Sequence, residues 1–152
     1  MIETKNEIWA CWLLPRRNLR WLKDKWHLIN FDLKKESGKW DEYKQSMLIH
    51  SIIYGYQVPP IYWVENKTKN LEYWYGVIDG RQRMDTVNDY LNDKFALHVN
   101  TPMYLNEEIA GKMFSELNSD IQNKMYAWCF DIVFLRNITE DEIKEQILRL
   151  EL

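Results

Sequence analysis

The sequence predicts a mixed α/β (α+β) fold, with a small mixed sheet and helices packed around it. Branched and aromatic residues are concentrated in three short stretches that suggest strands, at 61–64, 71–78 and 130–135. Apolar residues recur at helical spacing in three longer stretches, at 40–54, 81–92 and 139–150. The length of 152 residues suits a single domain over 1–152 with a substantial core.

The first thirty residues are basic and rich in tryptophan. Four tryptophans surround three arginines: Trp9, Trp12, Trp21 and Trp26 with Arg16, Arg17 and Arg20. Interleaved arginine and aromatic side chains can hold a phosphate and stack a base. The alternative is an irregular segment whose tryptophans dock on the core while its arginines stay exposed. For any single residue here the alternative is favoured.

The next part of the chain predicts a helix followed by a β-hairpin. The helix occupies 40–54, between a break at Ser37-Gly38 and a terminating Gly55. Two strands follow, at 61–64 and 71–78, and a short polar link joins them.

The remaining elements are predicted from caps and apolar patterns. In order, they are a helix at 81–92, a short strand at Phe95–Val99, a partly helical stretch at Asn106–Leu117, a helix capped by Ser119, a strand at Phe130–Leu135, and a helix to Leu150 that begins with a Thr139–Glu142 capping box.

The stretch from Val77 to Thr86 (VIDGRQRMDT) lies where a predicted strand turns into a predicted helix. Free backbone N–H groups at a helix start carry partial positive charge. With Arg81 and Arg83 beside them, the turn is a plausible seat for a phosphate or another anion. The simpler alternative is that Asp79 caps the helix, Gln82 completes a capping box and Gly80 serves the tight turn.

Composition narrows the possible functions. The net charge of −3 argues against broad, non-specific duplex binding, although the basic residues are concentrated in the first third of the chain. Cys11 and Cys129 have no metal or redox spacing, which suggests a reducing, cytoplasmic setting. No apolar run could span a bilayer. The three histidines form no ligand pair, no phosphate-loop or serine-nucleophile motif occurs, and any metal site is unknown.

The motif resembles the "IDGQQRLTT" signature of domain-of-unknown-function family 262, the N-terminal domain of GmrSD-type, modification-dependent restriction proteins with a ParB/sulfiredoxin-like fold. Ser46–Ile61 and Phe130–Leu150 resemble other segments of that family in the right order. Arg81 departs from the pattern, because it stands where the family usually has a glutamine. The family also continues into a C-terminal HNH-type nuclease domain, which is not expected here.

The resemblance implies a nucleotide site at the motif. It implies that Asp79, Gln82 and Arg83 are catalytic, with Asp79 holding Mg²⁺ or acting as base, Gln82 orienting a water and Arg83 pairing with phosphate. The residues it implies in nucleotide binding are Gly80, Arg81, Thr86, Arg16, Arg17 and Arg20.

Three functions stay open from the sequence. The first is a regulatory domain of a restriction or phage-defence protein that binds and hydrolyses a nucleoside triphosphate with Mg²⁺. The second is a module that only binds a nucleotide or DNA. The third is a short, phage-encoded inhibitor that acts on a nuclease or defence complex through protein contacts.

Overall fold

A computed structural model of the chain describes residues 2–6, 17–34, 38–65 and 73–152. Several predictions fall outside these residues: Trp9, Cys11, Trp12, Arg16, Ser37 and the polar link after the first hairpin strand.

The described chain contains five strands, five α-helices and two short 3₁₀ helices. The strands are β1 (Glu3–Asn6), β2 (Ile29–Asn30), β3 (Ile61–Glu65), β4 (Tyr75–Asp79) and β5 (Ile132–Arg136). The helices are α1 (Leu19–Asp24), α2 (Glu42–Tyr54), α3 (Arg81–Leu91), α4 (Ser119–Ala127) and α5 (Glu140–Leu150). The 3₁₀ helices are Trp26–Leu28 and Phe114–Glu116.

The strands form one mixed sheet in the order β1-β5-β3-β4-β2. The predicted hairpin is confirmed, since β3 pairs antiparallel with β4, while β3 pairs in parallel with β5. β2 pairs in parallel with the start of β4, opposite Tyr75 and Gly76. The mixed α/β class is therefore confirmed.

The core lies between the central strands and the helices. Alternate β3 residues Ile61 and Trp63 are fully buried, as the period of a strand requires. On α3, Met84, Val87 and Tyr90 are also fully buried, which follows from their helical spacing. The Trp63 indole N–H points to the Met84 sulfur at 3.4 Å and ties the sheet to the helix that begins at the motif.

Of two predictions for the middle of the chain, one is wrong and one is confirmed in part. Phe95–Val99 is not a strand, because its backbone hydrogen bonds form no ladder: Leu97 donates to the Lys112 carbonyl at 3.0 Å and accepts from Gly111 at 2.7 Å, and the His98 carbonyl accepts from the Thr101 N–H at 2.9 Å. Burial of Leu97 accounts for the apolar pattern. Within Asn106–Leu117 the described helix is limited to the 3₁₀ turn at 114–116, and the rest consists of turns and irregular chain.

The helix starts follow their caps. The Thr139–Glu142 capping box is confirmed, with the Thr139 hydroxyl accepting from the Glu142 N–H at 3.2 Å. The cap of α4 is Asn118, one residue before the predicted Ser119, and its side chain accepts from the Ile121 N–H at 2.9 Å. The described N-terminal chain is more regular than predicted, because it includes β1, α1 and β2.

Candidate functional site

The turn between β4 and α3 is built around Gly80. Its φ of +98° lies in the left-handed region, which a glycine adopts without the usual steric cost. A Cβ at this position would lie 2.3 Å from the Cγ2 atom and 3.2 Å from the Cα atom of Ile61. Both the backbone angle and the close packing on β3 therefore require glycine.

The start of α3 lacks a side-chain cap, so the capping role suggested for Asp79 and Gln82 is wrong. Gly80 is the N-cap residue, and no described side chain accepts a hydrogen bond as a cap there. A left-handed residue directly before a right-handed helix presents successive N–H groups in a concave arrangement that suits an anion. This arrangement adds to the partial positive charge of the helix start.

Parallel pairing of β2 with β4 carries the chain after β2 alongside the motif. The register Ile29–Tyr75 and Asn30–Gly76 is followed by a segment that contains Phe31 and Lys34. The Lys34 ammonium lies 3.4 Å from an Asp79 carboxylate oxygen and 3.4 Å from Glu151. A cation distant in sequence thus reaches the strand-to-helix turn.

A cavity of about 190 Å³ opens at this turn. We call it the motif cavity; it is lined by Phe31, Lys34, Trp40, Val77, Ile78, Asp79, Gly80, Arg81, Gln82 and Arg83. These lining residues include three cationic side chains and one carboxylate. Glu151 and Asp85, which lie outside this lining, pair with Lys34 and Arg81, so the cations are gathered beside the helix start with a carboxylate partner for each.

The two motif arginines make different contacts. Arg81 is 36% exposed, pairs with Asp85 at 3.3 Å and donates to the Phe31 carbonyl at 3.3 Å. Arg83 is 17% exposed, donates to the Pro60 carbonyl at 2.9 Å and lies 3.8 Å from Asp79.

Burial leaves one donor of Arg83 unmet. Desolvation lowers the pKa of Arg83 and the Asp79 carboxylate opposes this shift, yet a guanidinium stays charged in proteins. Its buried Nε has no hydrogen-bond acceptor among the described residues. Buried donors are nearly always paired, so an acceptor that enters beside Arg83 would remove a cost.

Gln82 fastens the segment before α2 to the motif helix. Its amide nitrogen donates to the Gly38 carbonyl, and its amide oxygen accepts from the Trp40 N–H at 3.5 Å. In this arrangement both ends of the amide are engaged. Orienting a water, the role implied by the resemblance, would require one of these contacts to open.

The structure brings together Asp79, Gly80, Arg81, Gln82 and Arg83, but it keeps the other expected residues away from the motif cavity. Thr86 is fully buried, and its hydroxyl donates to the Gln82 carbonyl at 2.8 Å. Its described contact is therefore within α3 itself.

Of the N-terminal arginines, Arg17 lies at the opposite end of β4. It donates to the Tyr75 hydroxyl at 2.6 Å, and Tyr75 is four residues, or about 13 Å, from Asp79 along the strand. Arg20 lies over the Tyr126 ring at 4.2 Å. Arg16 is outside the described residues. The expected N-terminal phosphate group and the motif thus do not form one described site.

Sequence reasoning missed Phe31, Lys34 and Trp40, which line the motif cavity. No local spacing identifies them, because the pairing of β2 with β4 and the contacts of Gln82 bring them there. Within the described ranges, no group of three His, Cys, Asp or Glu side chains could hold a metal ion. The helices of the described chain include none long and apolar enough to cross a membrane.

Comparison with protein families gives one match. The family model of the GmrSD restriction endonuclease N-terminal domain matches residues 38–150, about three quarters of the chain. This range includes α2 through α5 and the whole motif. No curated protein and no solved structure matches the chain.

Proposed function

The chain belongs to the family of GmrSD restriction endonuclease N-terminal domains, which indicates a restriction or defence-type protein, and from that premise we propose that the motif cavity binds the phosphates of a nucleoside triphosphate. The observation that carries the proposal is the convergence of three cationic side chains on an uncapped helix start, where the buried Nε of Arg83 has no acceptor among the described residues. Backbone N–H groups and guanidiniums at one helix end are the usual receivers of phosphate oxygens.

The contacts separate the motif residues that support the fold from the residues that could bind an anion. Gly80 and Gln82 are held by packing on Ile61 and by the segment at 38–40. Lys34, Arg81 and Arg83 bring their positive charges to the motif cavity, where Asp79, Asp85 and Glu151 pair with them. Arg83 also has the unmet Nε donor. An anion would compete with these carboxylates for the cations and would accept from the Arg83 Nε.

Hydrolysis of the bound nucleotide is a second proposal, and Asp79 favours it. Asp79 is the sole carboxylate among the described lining residues, and Mg²⁺ at nucleotide sites is commonly held by one or two carboxylates together with phosphate oxygens. These residues fit a metal that arrives with the triphosphate. Bound Mg²⁺ would supply charge neutralisation at the phosphoryl oxygens. Asp79 would hold it or accept a proton, and Gln82 would position the water.

The role that fits this chemistry is regulatory. We propose that the nucleotide-bound state controls a nuclease or defence partner acting on DNA, and that this domain is the switch. Location in the cytoplasm would suit this role.

Binding is tested by titration calorimetry of the intact protein with each of the four ribonucleoside triphosphates. Lys34→Met and Arg81→Met each remove one cation and should weaken binding about tenfold, since a charge-assisted hydrogen bond contributes about 1.5–3 kcal/mol. The matched control is Lys144→Met, which removes an exposed cation on α5. An equal loss in the control, or no binding by the folded protein, would contradict the proposal and leave an inhibitor acting through protein contacts as the better reading.

Hydrolysis is tested separately by phosphate release with Mg²⁺. Asp79→Asn should abolish release while leaving triphosphate binding in the absence of metal equal or tighter, because a negative charge is lost from the motif cavity. Phosphate release that survives in Asp79→Asn would exclude Asp79 as metal ligand and base. Binding without release by the unaltered protein would leave a non-catalytic nucleotide module.

A further inference from the structure

Lys34 connects the motif cavity to the C-terminal end of α5. Its ammonium lies 3.4 Å from a carboxylate oxygen of Asp79, which lines the cavity, and 3.4 Å from a carboxylate oxygen of Glu151. Glu151 is the C-cap residue of α5 and lies outside the cavity lining. One cation is therefore shared between the proposed phosphate site and the end of a helix beside it.

The attachment of α5 to the rest of the domain is shallow. The helix packs on β4, but none of its side chains is buried. Its apolar residues Ile143, Ile147 and Leu150 are half-buried, and Leu148 is 59% exposed. Because the packing of an apolar face supplies most of the stability of a helix in a protein, a single ion pair at the end of α5 has a measurable share in holding its last turn.

An anion in the motif cavity would compete with Glu151 for Lys34. The side chains of this pair are 27% and 52% exposed, and pairs of such exposure are weak. A triphosphate brings several negative charges to the same ammonium, which has three donors on a flexible stem. The phosphates would therefore take Lys34 at little cost, and Glu151 would lose its partner.

We propose that phosphate binding in the motif cavity draws Lys34 away from Glu151 and loosens the last turn of α5. We call the Lys34–Glu151 ion pair the α5 latch. Since the latch and the phosphates use the same ammonium, their effects are reciprocal: a protein without the Glu151 carboxylate binds phosphate more tightly. The inference rests on the proposed phosphate site and adds how occupancy of that site reaches the C-terminal helix.

The first experiment measures the affinity for inorganic tripolyphosphate by calorimetry on the intact protein, in a double-mutant cycle. Glu151→Gln should bind about two- to fivefold more tightly than the unaltered protein, because the competing carboxylate is gone. In a Lys34→Met background the same change should have no effect, since the latch is already broken. The matched control is Glu145→Gln, which removes an exposed carboxylate of α5 that pairs with Arg149 and should leave the affinity unchanged.

The second experiment measures hydrogen exchange of the backbone amides at 148–152 by NMR. Saturating tripolyphosphate should speed this exchange about two- to fivefold, and Lys34→Met should do the same without any anion. In Lys34→Met, added tripolyphosphate should cause no further change. The first turn of α5, held by the Thr139–Glu142 capping box, is the internal reference and should exchange at the same rate throughout.

The outcomes separate the latch from the phosphate site. If Glu151→Gln tightens binding equally in the Lys34→Met background, general charge repulsion explains the effect and the latch is overturned. Tripolyphosphate that binds without changing exchange at 148–152 also overturns the latch and leaves the phosphate site standing. A folded protein that binds no tripolyphosphate overturns both. Tighter binding that requires Lys34, together with faster exchange of the last turn, supports the latch.

Discussion

Replacing Gly80 by alanine tests whether the motif glycine is held by the fold. Placing a non-glycine residue in the left-handed region costs about 1–2 kcal/mol. The new Cβ would also lie 2.3 Å from Ile61 Cγ2 and 2.7 Å from Ile61 Cβ, so β3 or α3 must shift, which for overpacking costs about 1–3 kcal/mol. The free energy of unfolding should therefore fall by about 2–5 kcal/mol, which corresponds to a fall in melting temperature of roughly 10 °C for a domain of this size.

Gly55 provides the matched control. Its φ of +95° nearly equals that of Gly80, but a Cβ there would meet nothing within 4 Å. Gly55→Ala should therefore cost only the backbone part, about 1–2 kcal/mol. Both variants are measured by denaturant unfolding and by thermal melting. Equal losses in the two variants would refute the close approach of Gly80 to Ile61.

Three further predictions concern residues around the site and at the C-terminal helix. Burial raises the pKa of Asp131, so the charged carboxylate destabilises the folded state at neutral pH. Asp131→Asn should therefore raise the melting temperature at neutral pH. The gain should vanish in acid, below the pKa of Asp131 in the unfolded chain, and thermal melts across that pH range measure it. Thr139→Ala removes the capping hydroxyl and should cost about 0.5–2 kcal/mol of unfolding free energy in denaturant unfolding. The pKa of Glu142 is lowered first by the hydrogen bond from the Thr139 N–H and second by the Thr139 hydroxyl, so the variant should raise this pKa only part of the way to its ordinary value in a carboxyl NMR titration. Gln82→Met removes both contacts to the segment at 38–40 and should cost about 1–3 kcal/mol with faster hydrogen exchange at Trp40; unchanged exchange would refute the fastening role.

The parts of the fold that could be predicted are those specified by local patterns. The Thr139 capping box, the helix that Gly55 ends and the hairpin of β3 with β4 each depend on residues close in sequence. Phe95–Val99 failed because a short apolar run does not distinguish a strand from a buried loop. Leu97 is buried, which explains the apolar run. A strand also requires a neighbouring strand to hydrogen-bond with, and an apolar run does not show whether one is present.

In the candidate site, too, some residues could be predicted from local patterns and others could not. The contiguous motif residues Asp79 to Arg83 could be identified because one strand-to-helix turn places them together. Lys34 could not, since it arrives through the two-residue strand β2, whose pairing with β4 has no local signal. Arg17 was assigned to nucleotide binding through the family resemblance, but its contact with Tyr75 places it at the far end of β4.

The fold explains some motif residues completely and others only in part, and this difference bears on function. Gly80 is required by its φ and by Ile61, and Gln82 has a contact at each end of its amide. A phosphate is not needed to account for either residue. The cations differ, because Lys34, Arg81 and Arg83 meet at the motif cavity with Asp79, Asp85 and Glu151 as their partners. Ion pairs near the protein surface contribute little to stability, so these cations, more than the glycine or the glutamine, are the residues whose removal should affect binding before stability.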